Sequence, residues 1–301
     1  MAVDDLAKAT AYLERIGYYR LSGYWYPLRQ SQIIPAPGGK ATTQVLNTFR
    51  PGATFAHAID LYDFDKRLRL LFLDASESIE VALRVDIALL LGARDPRAHC
   101  DPALLHGNFA RRVNRGTGRT SHQDWLARLD QAAFRSKEEF VRHFTSRYSG
   151  PLPIWIAVEL WDFGMLSTFL AGMALADQAT VAAKYGVQRP ELLAGWMRAI
   201  NHIRNICAHH GRLWNRSPAD QPKPPKAGEI ALLDHLAGDP YAQTRLYGVA
   251  APMQYLLRFI NPTTSWPDRL RWHLDGFPTA PGVAVGQTGF PTGWETLPLW
   301  S

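Results

Sequence analysis

From Phe55 to Leu91 apolar residues recur at helical spacing almost without interruption: Leu61, Phe64, Leu68, Leu71, then Leu73 on through Ile79, Leu83, Ile87 and Leu90. A period of 3.6 sustained that far predicts one long helix or two in tandem, and sets a helical architecture for the chain. Its charges come from Lys66, Arg67, Arg69, Glu77, Glu80, Arg84 and Asp86. Glu80 and Arg84 stand one turn apart, the spacing of a plain helix salt bridge worth a few tenths of a kcal/mol. The sharper reading is that Glu80 orients a functional side chain on a neighbouring helix.

That neighbour is the stretch Arg189–Arg216, RPELLAGWMRAINHIRNICAHHGRLWNR. Pro190 suits a first helical position, where its missing N–H is an orphan anyway. Leu193, Trp196, Ile200, Ile203 and Cys207 form a buried stripe at steps of three and four. Opposite them run Arg198, His202, Asn205 and His209, flanked by Asn201 and Arg204. A solvated face carries Lys and Glu; imidazoles, amides and guanidiniums instead bind and polarise phosphates. The competing reading is a polar helix-pairing seam with its histidines hydrogen-bonded. Metal binding is not expected: Cys207, His209 and His210 crowd too closely for one tetrahedral site, and no second Cys/His cluster has zinc spacing.

Other segments are shorter. Leu6–Ile16 is helical, and YYRLSGYWYPLR interleaves Tyr18, Tyr19, Tyr24, Trp25 and Tyr26 with Arg20 and Arg29, a pattern for core packing or for stacking bases. Ser31–Gly52 is a loop or a short hairpin. Pro96–Asn108 is a loop with His99 and His106. Helices are predicted over Ser121–Phe134 behind a Ser cap, over Ser136–Tyr148 with Ser136 and Glu139 as a capping box, and over Pro151–Met173. In the last of these PLPIWIAVEL alone could pass for a strand, but the continuation into WDFGMLSTFLAGM favours a helix with an early Pro. Asp177 is expected to cap Ala179–Tyr185, which Gly186 ends. Four prolines make Ser217–Gly228 a stiff surface linker. Glu229–Leu236 and Leu246–Ile260 look helical, and beyond Pro262 coil is expected, with its tryptophans folded back onto the body.

RNICAHHGRLWNR resembles the signature of the bacterial abortive-infection (Abi-like) proteins, a branch of the HEPN superfamily. That superfamily's hallmark is an Arg followed four to six residues later by a His, often with a polar residue after the Arg. Arg204, Asn205 and His209 match it. Arg94 and His99 have the same spacing, but RDPRAH contains Pro96 and reads as a loop. YLERIGYYRLSGYWYPLR, YDFDKRLRLLFLDASESIEVALR, PIWIAVELWDFGMLSTF and GFPTGWETLPLW also look like family blocks, in the family's order.

The resemblance implies an all-α fold, a HEPN-like helical bundle with additional N-terminal helices and a coil-rich C-terminal tail. One domain would cover 1–301: N-terminal helices and loop to 53, the HEPN-like core over 54–216, and linker, helices and tail over 217–301. It implies RNA cleavage without metal or cofactor. Arg204, Asn205, His209 and His210 would be catalytic, supported by Glu80, Arg84, His202 and Arg198. On an ideal helix Arg204 and His209 sit about 140° apart. Either the helix distorts towards Gly211, or the Arg reaches round, or two chains share the site, and the resemblance implies the last, a homodimer. An antitoxin protein or small RNA is a possible further partner, and a non-cleaving RNA-binding protein is the alternative function.

Composition is compatible with RNA, and its Arg preference fits a GC-rich genome equally well. The charge is +6 with pI ≈ 9.4, and 26 of 33 basic residues are Arg, a preference that suits bidentate phosphate contacts. Arg111, Arg112, Arg115 and Arg119 lie in RRVNRGTGR, read as a flexible basic loop that is either merely solvated or touches RNA; Arg212 is a further RNA-binding candidate. No apolar run of 18 residues exists, so no membrane span is expected. An acidic start and two cysteines point to the cytoplasm.

Overall fold

The computed structural model describes residues 1–35 and 41–301. Two helices, α1 (Leu6–Ile16) and α2 (Tyr18–Trp25), meet at Gly17, whose φ of 90° ends one and starts the other. The Asp5 carboxylate caps α1 by accepting the Lys8 N–H at 2.9 Å. An antiparallel hairpin follows, β1 (Arg29–Ile34) on β2 (Thr42–Phe49), in register Ser31 to Val45 and Ile34 to Thr42. The hairpin alternative for Ser31–Gly52 therefore holds where the strands run, and 36–40 lie outside the described residues.

Phe55–Gly92 is one helix, α3, of 38 residues. Thr54 and His57 close its first turn as a capping box. Leu61, Leu68, Phe72, Ile79, Leu83, Ile87 and Leu91 on it have no exposed surface. Each such side chain contributes about 1.5–3 kcal/mol by leaving water, which is why this helix forms the axis of the protein. Around it, in chain order, stand α4 (Gly107–Ala110), α5 (Ser121–Arg135), α6 (Glu139–Arg147), α7 (Ile154–Ala157), α8 (Phe163–Gly172), α9 (Leu175–Lys184), α10 (Pro190–Ala208), α11 (Pro240–Gln243), α12 (Tyr247–Ile260) and α13 (Trp266–Asp275). Helices α2, α8, α10, α12 and α13 pack on α3 directly. The fold is predominantly all-α, and buried side chains from Ala9 to Trp300 belong to one contiguous core.

Local chemistry moved several boundaries. Thr120, not Ser121, caps α5, with Gln123 completing the box. The Ser136–Glu139 box does not form: the Ser136 hydroxyl accepts from the Glu138 N–H at 3.2 Å, and Glu138 itself precedes α6. Pro151–Met173 is neither a strand nor one helix. After α7 a 3₁₀ turn carries Val158–Leu160, Trp161 becomes extended, and Asp162 starts α8 by accepting the Met165 N–H at 2.8 Å. Asp177 caps nothing; it lies within the first turn of α9, where its carboxylate takes both arms of Arg94. Glu229–Leu236 is helical only as a 3₁₀ turn over Ala231–Leu236.

The expected coil beyond Pro262 is interrupted by α13, whose Pro267 sits in the first turn, where it is tolerated. Trp266, Trp294 and Trp300 are buried, and the Trp266 indole N–H donates to the Leu71 carbonyl at 2.7 Å. Trp272 stays in solvent, 75% exposed. Pro218, Pro222 and Pro225 are buried, so the proline-rich linker is a strap pressed onto the body.

Candidate active site at the end of the Arg204 helix

Helix α10 follows its pattern. Leu193, Trp196, Ile200, Ile203 and Cys207 are all buried, and burial raises the Cys207 thiol to about 12, leaving it an inert core group. The helix stops at Ala208. His209 caps it with φ −90° and ψ 13°, and His210 turns left-handed at φ 58°. The His210 N–H returns to the Cys207 carbonyl at 3.0 Å and the Gly211 N–H to the Ile206 carbonyl at 2.8 Å, a Schellman ending. Gly211 packs closely here: a Cβ would sit 3.1 Å from the Ile206 side chain and 3.3 Å from its carbonyl oxygen, so Ile206 would have to give by a few tenths of an ångström. The left-handed position usually taken by glycine is held instead by His210, the one non-glycine residue with positive φ among the described residues.

His209 is the last residue on the helical path, its N–H still returning to the Asn205 carbonyl at 3.0 Å. It lines the same open cleft as Arg204 of its own chain, with a volume of about 600 Å³. Arg198, Asn201 and Asn205 from α10 share that cleft, α8 contributes Ser167 and Thr168, α5 brings Arg128, and the strap brings Asp220. Arg204 donates to Asn205 at 3.5 Å and Asn205 to Asn201 at 3.4 Å, contacts at the long limit that a bound ligand would readily replace. Arg128 is paired with Asp162 at 2.9 Å. Among the described residues neither Arg198 nor Arg204 has an ion-pair partner within salt-bridge distance.

Glu80 and Arg84 stand behind the cleft. Arg84 donates to the Glu80 carboxylate and to the Trp161 carbonyl, tying α3 to the residue just before Asp162. Burial pushes the Glu80 carboxyl above the ordinary range, while the Arg84 and Arg204 guanidiniums pull it back. Glu80 thus feels the field of Arg204, but among the described residues it makes no hydrogen bond to it.

The other candidates lie elsewhere. His202 accepts the Ala219 N–H at 3.3 Å and holds the strap. The His210 carbonyl accepts from Arg20 at 2.7 Å, and its ring is not among the cleft's lining groups. Arg212 is turned inward onto the Gly23 carbonyl, where burial lowers its pKa. Arg112 and Arg115 line a separate open pocket of about 670 Å³ with Asn108 and Ser121. Arg111 lies back against Gly107, and Arg119 is held by Asp124 at 3.0 Å and the Gln123 carbonyl at 2.8 Å. The basic segment is a bridged turn, Val113 facing Thr120.

One residue of this region went unread in the sequence. Asp65 on α3 is fully buried and accepts from the Tyr24 hydroxyl at 2.7 Å, from Arg69 at 2.5 Å, and from the N–H groups of Leu213 at 3.1 Å and Trp214 at 2.8 Å. It fixes the chain just after the His209–Gly211 turn. The signal was available: a carboxylate beside Phe64, inside an apolar helical run, needs partners when buried.

The molecule is thus a helical protein in which guanidinium, amide and imidazole groups line one open cleft together with the Asp162 and Asp220 carboxylates. The family profile described as Abi-like protein matches residues 11–215, and the chain belongs to that family. Membership supports an abortive-infection, phage-defence context. No curated protein and no solved structure compared with the chain matches it. Among the described residues no helix is long and apolar enough to cross a membrane.

Proposed function

We propose that the chain is a metal-independent endoribonuclease of the HEPN type, a HEPN-like bundle acting in the cytoplasm in phage defence or as the toxin of a toxin–antitoxin pair. The observation that supports this most is the meeting of Arg204, Asn205 and His209 in one open cleft. RNA carries its own nucleophile, the ribose 2′-OH beside the scissile phosphorus. His209, whose imidazole can accept or donate a proton, takes that proton or returns one to the leaving 5′-oxygen. Arg204 clamps the phosphate oxygens as charge builds on them, with Arg198 and Arg128 within the same cleft for flanking phosphates. Asn205 orients the phosphate or His209. A second copy packed symmetrically would bring its own His209 to the cleft as the complementary proton carrier, and His210 would supply one if its turn opened. Arg112 and Arg115 would hold phosphates further along the strand. An antitoxin protein or small RNA would silence the cleft by covering it.

The test uses purified protein and total RNA in EDTA, with Arg204→Ala and His209→Ala alongside. The wild type should leave 5′-hydroxyl and 2′,3′-cyclic phosphate ends, and each variant should be slower by about 10²-fold or more. Salt-dependent RNA binding with the strand left intact by the wild type would sink the nuclease reading and support a non-cleaving RNA binder.

A further inference from the structure

The aromatic segment before the hairpin divides into two faces. Leu21, Tyr24, Trp25 and Leu28 are buried against α3 and its surroundings. Tyr19, Gly23 and Tyr26, at steps of four and three, share the opposite face. Tyr19 is 90% exposed and Tyr26 48%. Leaving such rings in water forgoes the burial free energy that their neighbours gain. Between the two rings Gly23 offers no side chain, and the Arg212 guanidinium fills the gap: it donates to the Gly23 carbonyl and lies 3.9 Å from where a Cβ would stand. The Arg29 guanidinium sits 5.6 Å from the Tyr26 ring centroid. Ring, guanidinium and ring therefore follow one another over about 10 Å of helix.

This face adjoins the motif. Arg20 donates to the carbonyl of His210, next to His209 in the cleft, and Arg212 follows two residues later. From Tyr18 to Arg29 the segment carries two arginines and no carboxylate. A polyanion with flat bases fits that chemistry; a basic partner does not.

We propose that the Tyr19–Gly23–Tyr26 face, floored by Arg212, is a stacking platform for the single-stranded RNA adjoining the phosphate held in the cleft. The proposal rests on the cleft being an RNA site. Planar guanidinium and phenol faces accept any base, so the platform selects single strands, whose bases are free, over duplexes, whose bases are not. It explains why Arg212 is drawn inward: it supplies a surface to bases, not a contact to phosphate.

The probe is a single-stranded oligoribonucleotide, fully 2′-O-methylated and carrying 2-aminopurine, which lacks the nucleophile and so is bound without being cut. The wild type should bind it and quench the 2-aminopurine emission. Tyr19→Ala and Tyr26→Ala should each weaken binding about tenfold and restore emission, while Tyr19→Phe keeps both. On unmodified RNA, Tyr19→Ala should raise KM and leave kcat alone. A wild type that binds and quenches but never cuts unmodified RNA keeps the platform and removes the nuclease. A wild type that cuts, while Tyr19→Ala binds the methylated strand as tightly as it does, overturns the platform. So does a Tyr19→Ala protein altered only in oligomeric mass by light scattering, which would make this face a contact between copies, and so does a wild type that binds no RNA.

Discussion

The Asp65 carboxylate accepts the Trp214 backbone N–H at 2.8 Å, joining two points 149 residues apart. The same carboxylate neutralises Arg69, which also reaches the Gly211 carbonyl at 3.3 Å. Asp65→Ala strands a buried guanidinium and leaves two backbone donors without a partner. It should cost about 3 to 5 kcal/mol in urea unfolding. Hydrogen exchange at the Leu213 and Trp214 amides should accelerate with it. A loss below about 1 kcal/mol would mean that the buried network contributes little net stability.

His210→Gly isolates the strained turn. An L-residue in the left-handed region costs about 1–2 kcal/mol, and glycine is free of that penalty. The variant should therefore unfold at higher urea concentration, gaining about 1 kcal/mol. Stability rising while RNA cleavage falls would show that the imidazole has a chemical task. Rising stability with unchanged cleavage would remove His210 from the chemistry.

His99 predicts a pH effect. It has no exposed surface, and neither ring nitrogen has a hydrogen-bond partner among the described residues. Burial first, and the nearby His122 second, lower its pKa from 6.5 to about 4. Between those two values the unfolded chain binds more protons than the folded one. Stability from this site is therefore fully present above pH 6.5 and falls as the pH drops through the window, by about 3 kcal/mol in all. His99→Phe removes the titration and should flatten the pH dependence of urea unfolding by that amount. An unchanged slope would show that the ring finds a proton partner in solution.

Arg198 is exposed, without an ion-pair partner within salt-bridge distance among the described residues, and lines the cleft. If RNA lies there, Arg198→Ala should lower the slope of log affinity against log salt by about one, with no change in sequence preference. An unaltered slope would place the backbone elsewhere.

The helical class, the extent of α3 and the two faces of α10 were legible because periodicity reports burial, and burial dominates those elements. The family signature was legible as a motif and holds over 11–215. What escaped depends on competition between local bonds. Asp162 breaks a continuous apolar run because its carboxylate satisfies the first turn of α8 better than continued helix would. Asp177 looks like a cap in the sequence, but Arg94, far away in the chain, claims it. The left-handed turn at His210 also escaped, because sequence periodicity carries no mark of where a helix stops with a histidine in the glycine position.

The bond from Asp65 to Trp214 also has a temporal meaning. Closing so wide a loop carries an entropic cost that grows with its length, and it is recovered only when both ends are already docked. The segment just after the His209–Gly211 turn is therefore braced only once α3 and the end of α10 have met. If the cleft cuts RNA, a nascent or unfolded copy would carry its residues without this brace, and activity would wait on the docking of α3 against the end of α10.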